Sequence, residues 1–121
     1  SMTEEEALKC LELTNGAITP TSRWMQESVL VKEEFRSDFA AALHVDGTTR
    51  VQIVSRDENP LYHRLLRTIA GSTGHEALLN TSFNESGFPI VSGPLDALAT
   101  FARTELDALT IGNLILEKRY P

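Results

Sequence analysis

Cysteine is nearly absent from this chain. Cys10 is the only one among 121 residues, so no intramolecular disulfide can form and a cross-linked scaffold is excluded. That usage suits a reducing compartment. Basic residues are also scarce, with 11 Lys and Arg against 17 Asp and Glu and a formal net charge of −6. A nucleic-acid footprint needs a basic patch or stripe, so no nucleic-acid partner is expected. No apolar run is long enough to span a bilayer, and no membrane partner is expected. The opening "SMTEEEALKC" is acidic where a secretory signal is basic and then apolar, which points to a cytoplasmic protein. Ser1 ahead of Met2 reads as the remnant of a cleaved expression tag that carries no fold information. Repeats, linkers and low-complexity tracts are missing as well, so a single domain over residues 1–121 is expected.

What is present reads as a soluble globular chain, 41% hydrophobic and 23% charged. A chain of this length buries roughly two-thirds of its unfolded surface, enough to fold without a structural metal. Helical and strand patterns interleave, which favours one α+β or α/β domain. An α+β domain with a mixed, twisted β-sheet and packed helices is the expected class.

Thr3 and Glu6 stand at capping-box spacing and predict a helix from Thr3 to Leu13, stopped at Asn15-Gly16. Ala17 to Trp24 reads as a loop and Ser28 to Lys32 as a strand. "ALHVDGTTRVQIV" predicts a hairpin turning at Asp46-Gly47, with Val45 opposite Thr48 and Leu43 opposite Arg50. Arg50 and Gln52 then share one face, and His44, Val51 and Ile53 the other. Asn59 and Pro60 open a helix that Gly71 to Gly74 closes, with Leu61, Leu65 and Ile69 on its apolar side, broadened by Tyr62 and Leu66. "ALLNT" from Ala77 to Thr81 is apolar on both faces and predicts a strand near the centre of the sheet. A second helix with proline in its first turn, "SGPLDALATFART", should bury Leu95, Leu98, Phe101 and Ala102. Ala108 to Glu117 reads as strand, turned at Gly112-Asn113.

"LLNTSFNESGFPIV" carries the most suggestive chemistry. An apolar run passes directly into Asn80, Thr81, Ser82 and Asn84. Strand ends are where open sheets place ligands, and these amides and hydroxyls suit a phosphate, carbonyl or ribose. Extended backbone would put Asn80, Ser82 and Asn84 on one side and Phe83 on the other. The plainer reading is a loop whose side chains cap its own backbone. Arg50 offers a fork suited to phosphate or carboxylate. His44, His63 and His75 are scattered without metal-ligand spacing, so structural or surface roles are expected for them and no metal is expected on this chain. No spacing nominates a Ser/His/Asp triad.

Three blocks, "HVDGTTRVQIV", "NPLYHRLLRTIAGSTGHEALLNTSFNESGFPIV" and "DALATFARTELDALTIGN", resemble in order and spacing the C-terminal domain of the nodulation and antibiotic-tailoring O-carbamoyltransferases. The resemblance is strongest over residues 42–118. It implies a YrdC-like domain, full or truncated, akin to the threonylcarbamoyl-adenylate synthases. Such a domain takes carbamoyl phosphate and ATP to carbamoyl-adenylate. A larger, metal-binding N-terminal domain, in cis or in trans, then transfers the carbamoyl group to a hydroxyl of a sugar or antibiotic. By the same resemblance Ser82 and Asn84 belong to the Ser-x-Asn element of the site, with Asn80 and Thr81 beside them. Arg50 is the implied phosphate-facing cation, and His44, on the opposite hairpin face, a lesser candidate. Self-association into a homo-oligomer is compatible with the sequence.

Departures are equally specific. Ser92 to Ala97 stand where Cys-Thr-Pro-Glu-Asp-Ala is usual, which weakens the helix cap, and Gly87-Phe88-Pro89 where Gly-Glu-Pro is usual. The upstream Lys and Arg pair that grips phosphates has no counterpart between Thr3 and Trp24, and the N-terminal transferase domain is not in the chain. The expected product is therefore part of a carbamoyltransferase, inactive in isolation. The competing expectation is a non-catalytic ligand-binding or interaction module that keeps only the fold.

Overall fold

Thr3 caps the first helix. Its hydroxyl accepts from the Glu6 amide at 3.2 Å, and α1 (Glu4–Cys10) runs for two turns. It ends earlier than the predicted Leu13, because Leu11 and Glu12 leave the helix to pair with Val31 and Leu30. In the computed structural model, which describes residues 1–119, the chain divides into two units: Ser1–Asn80, and the residues from Thr81 onward.

In the first unit, β1 (Met2–Thr3), β2 (Leu11–Glu12), β3 (Trp24–Val31) and β4 (Thr48–Val54) form a sheet in the order β1-β4-β3-β2. The β1–β4 pair is parallel and the other two are antiparallel, so the sheet is mixed and the expected α+β class holds. Its inner face places Val29, Val31, Val51 and Ile53 against Met2, Ala7 and Leu11. Alternation along β4 is as predicted: Thr49, Val51 and Ile53 are buried, Arg50 is exposed and Gln52 half-buried. The loop ahead of β3 contains a short helix, α2 (Pro20–Arg23), which Thr19 and Ser22 close with a capping box.

The predicted hairpin is not formed. Ala40–Ala42 make a 3-10 turn and only the second arm is a strand. His44, not Val45, faces Thr48, donating its amide to the Thr48 carbonyl at 2.7 Å. Alanine has little preference for a pleated surface, whereas β3 offers Val29 directly across from Thr49 on the buried face. The turn itself survives. Gly47 has φ 81°, and a Cβ there would lie 3.2 Å from the Arg36 guanidinium carbon.

α3 (Pro60–Thr73) keeps its predicted ends, with the Asn59 side chain accepting from the Tyr62 amide and Gly74 left-handed at the C-terminus. Its buried side differs from expectation. His63 and Leu66 are inside, while Leu61 is 70% exposed and Leu65 48%. Ala77 to Thr81 is a further correction. Ala77 makes one bridge to Met2, Leu78 donates to the Ser1 carbonyl, and these two residues lie beside β1 at the sheet edge, with Leu79 exposed. Two-residue β1 offers too short a partner to extend the pairing, and β4 and β3 take the centre. Ser1, expected to be silent, also receives a hydrogen bond from the Tyr62 hydroxyl at 2.8 Å.

In the second unit, α4 (Pro94–Arg103) packs on the hairpin of β5 (Ala108–Ile111) and β6 (Leu114–Glu117), turned at Gly112-Asn113 as predicted. Ala97, Phe101 and Leu109 form its core, with Phe83 and Leu116 against them. Leu95, Leu98 and Ala102 face outward instead of inward. As expected from Ser92-Gly93, α4 starts without a side-chain cap.

Candidate functional site

The first unit contains a cavity of about 250 Å³ between β4 and the edge segment. Val31, Val51, Phe39, Ala77 and Leu78 make its walls largely apolar, and Arg50, Asn80, His75, Asp38, Thr49 and Thr73 supply polar groups. An apolar cleft with a few convergent polar groups is the usual form of a small-ligand site. Arg50 is exposed at the border of this cavity, on the strand face opposite Thr49 and Val51, and among the described residues its side chain has neither an ion-pair nor a hydrogen-bond partner. Asn80 donates to Gln52 Oε1 at 2.8 Å, and Gln52 also receives the Ser1 hydroxyl at 3.0 Å. Two of the sequence-predicted residues, Arg50 and Asn80, thus line one cavity.

Met25 lines it too and has φ 59°, left-handed for a residue with a side chain, inside the stretch where β3 slips register against β4. A bulge of this kind re-aims side chains and costs roughly 1–3 kcal/mol where it forces such a dihedral. No local pattern in the sequence marks it.

Ser82 and Asn84 belong to the second unit and close on each other. Ser82 Oγ donates to Asn84 Oδ1 at 2.5 Å, and Asn84 Nδ2 donates to the carbonyls of Glu85 and Phe88, each at 3.1 Å. The Phe88 amide returns to Glu85 O at 3.0 Å, making a turn at Gly87 with φ 83°. Phe83 points into apolar packing, as the alternation predicts. Thr81 is exposed and makes no side-chain hydrogen bond among the described residues. A second cavity of about 330 Å³ lies between this turn and α4, where Arg103 is tied to Glu85 at 2.8 Å.

His44 is outside the first cavity. Its Nδ1 meets Thr48 Oγ1 at 2.9 Å beside Asp46, whose carboxyl is held below the usual range by the Thr48 hydroxyl and then by the Thr48 amide. Of the helix arginines, Arg67 pairs with Glu76 at 3.4 Å. Behind the first cavity, His75 meets Glu6, which also receives the Cys10 thiol at 3.2 Å. Burial alone would raise the Glu6 carboxyl, but hydrogen bonds from His75 and Cys10 outweigh it and the net shift is downward. Burial first, and then Glu6, push the Cys10 thiol up to about 12. Nothing in the sequence marks this group, since its members stand at positions 6, 10 and 75.

Similarity to known proteins spans the chain. The profile of the family described as Carbamoyltransferase C-terminus matches residues 1–118. The chain is 40% identical over 119 residues to "Nodulation protein NolO" of Bradyrhizobium diazoefficiens, covering 98% of this chain and 21% of that protein. It is 41% identical over 123 residues to "Nodulation protein NolNO" of Sinorhizobium fredii, with 98% and 17% covered. To the "3'-hydroxymethylcephem-O-carbamoyltransferase" of Streptomyces clavuligerus it is 35% identical over 83 residues, with 69% and 16% covered. The chain spans about a fifth of the length of these relatives. No helix among the described residues is long and apolar enough to cross a membrane.

Proposed function

The chain belongs to the carbamoyltransferase C-terminal family, and from that premise we propose that it is the nucleotide and carbamoyl-phosphate side of an O-carbamoyltransferase. Carbamoyl phosphate, ATP and water would yield carbamoyl-adenylate, pyrophosphate and inorganic phosphate. A domain outside this chain would pass the carbamoyl group to a hydroxyl acceptor, which fits a sequence one-fifth as long as its relatives. The fold is read as YrdC-like on the same resemblance, and the protein as cytoplasmic.

Arg50 carries the reading. An exposed arginine whose side chain has no partner among the described residues, at the border of a largely apolar cavity in a chain of net charge −6, is poised for an anion. Its planar fork suits two phosphate oxygens at once. Asn80, oriented by Gln52, adds a neutral group to the same cavity. Thr81, Ser82 and Asn84 are assigned to the nucleotide by resemblance.

One observation favours the alternative, a non-catalytic binding or interaction module: Ser82 and Asn84 already satisfy each other and their own turn. Calorimetry with millimolar ATP or carbamoyl phosphate separates the two. The enzymatic reading expects heat from the folded chain and a loss of about tenfold or more on Arg50→Ala, since a hydrogen bond to a charged group is worth about 1.5–3 kcal/mol. Asn84→Ala should lose several-fold. Silence from a folded sample leaves only the module.

A further inference from the structure

Behind the cavity wall, α1 and the segment after α3 bring together three side chains far apart in sequence. Glu6 and Cys10 stand four residues apart on one face of α1, both buried. His75 reaches them because Thr3 N bonds Glu76 O at 3.1 Å and Leu78 N bonds Ser1 O at 2.9 Å, fixing its segment beside β1. His75 Nδ1 is then 2.6 Å from Glu6 Oε1, Cys10 Sγ is 3.2 Å from the same oxygen, and the three ligand atoms lie within 4.8 Å of one another.

The other ring nitrogen is also engaged. His75 Nε2 lies 3.1 Å from Asp38 Oδ2, and Phe35 and Phe39 meet the ring edge-on at 6.3 and 4.9 Å between centroids. Neutral imidazole has one N–H, so it can donate to only one of the two carboxylates. With Nε2–H serving Asp38, Nδ1 is left to ligate a metal ion that would replace the proton now shared with Glu6 Oε1 at 2.6 Å. A histidine whose second nitrogen donates to a carboxylate is the arrangement that orients metal-bound imidazoles.

We propose that Glu6 Oε1, Cys10 Sγ and His75 Nδ1 form a binding site for a divalent cation of the zinc type, with Asp38 orienting the histidine. The donor set decides the class: thiolate, imidazole and carboxylate together suit Zn²⁺ and Co²⁺, and disfavour Mg²⁺ and Ca²⁺, which take oxygen. Tetrahedral bonds of about 2.0–2.3 Å set ligand atoms roughly 3.3–3.6 Å apart, so ligation needs shifts of about 1 Å. His75 is partly exposed and lines the cavity, which supplies an entry path, while Glu6 and Cys10 are closed off. Lys9 Nζ, 3.5 Å from Glu6 Oε1, is free to swing into solvent when the carboxylate turns to the ion. The ion would clamp α1 to the edge segment, and the reading stands whether or not the chain binds ATP.

The test is a Co²⁺ titration of the chelator-treated full chain. One equivalent should produce a thiolate-to-cobalt charge-transfer band in the near ultraviolet and the strong visible bands of tetrahedral cobalt, and Zn²⁺ should bleach both. Zn²⁺ should raise Tm by several degrees, because the ion binds the folded state. Cys10→Ser should abolish the charge-transfer band, and His75→Ala should weaken binding by at least tenfold. Asp38→Asn, a change at a half-exposed side chain that spares the fold, should keep the band and weaken binding about 10–100-fold. A chain shown to be folded by circular dichroism that gives no charge-transfer band and no Zn²⁺-dependent Tm shift overturns the site. So does a band that persists at full affinity in both His75→Ala and Asp38→Asn.

Discussion

The side-chain amide of Asn80 donates to the side-chain carbonyl of Gln52 at 2.8 Å, binding the last residue of the first unit to the strand that carries Arg50. Both are polar residues at or near the surface, so this bond positions more than it stabilises. A double-mutant cycle of Asn80→Ala and Gln52→Ala should give a coupling of about 0.5–1 kcal/mol by urea denaturation. Gln52→Ala alone should cost more than Asn80→Ala, because Gln52 Oε1 also receives the Ser1 hydroxyl. A coupling of zero would mean that the two side chains do not hold each other in solution.

The buried side of α3 makes a sharper prediction. Leu66 is fully buried and Leu61 is 70% exposed, although both belong to the apolar stripe read from periodicity. Leu66→Ala should cost about 2–5 kcal/mol, and Leu61→Ala should stay within about 0.5 kcal/mol. Chemical denaturation of the two variants checks it, and equal losses would restore the face read from the sequence.

At Asp46 the prediction concerns pH. The Thr48 hydroxyl and amide hold its folded-state value below the 3.8 of an ordinary aspartate. A depressed acid contributes stability that is fully present above 3.8 and is lost as pH falls through the folded-state value. The turn from His44 to Thr48 should therefore fray below pH 3.8 and not between pH 5 and 7. Exchange of the Thr48 amide, taken relative to the intrinsic rate at each pH, should accelerate in that acid window in the parent chain. In Asp46→Ala it should be fast already at neutral pH, with no acid step.

What the sequence made legible is what acts locally. Asn59, Pro60 and Gly74 delimit α3 within a few residues, and Thr3 caps α1 as its spacing with Glu6 predicts. The Gly112-Asn113 turn needs only its two flanking strands. Which side of a helix is buried depends on partners far along the chain, and so does strand order. Leu61 is as apolar as Leu66, but of the two only Leu66 is buried. The Ala77 to Thr81 run looked central because it is apolar, yet a two-residue partner left it at an edge. In the candidate site, the exposure of Arg50 was readable from alternation. Met25 depends on a bulge, and the meeting of His75 with Glu6 spans 69 residues.

Turnover is the remaining prediction. Forming carbamoyl-adenylate brings two polyanions together, and stabilising the charge that develops takes several fixed cations or a metal held at the phosphates. The first cavity offers Arg50. Arg67 is engaged by Glu76, Arg23 by Glu4 and Glu58, and Arg103 by Glu85, so each already spends its charge on a carboxylate. The isolated chain should therefore release little pyrophosphate from ATP in the presence of carbamoyl phosphate. Restoring the region that its longer relatives possess, in cis or as a separate chain, should bring the activity up, and Arg50→Ala or Ser82→Ala should bring it down again. Robust carbamoyl-phosphate-dependent release by the isolated chain would falsify the claim that its cationic complement is incomplete, and would direct attention to Arg64 and Arg56, for which no ion pair is formed among the described residues.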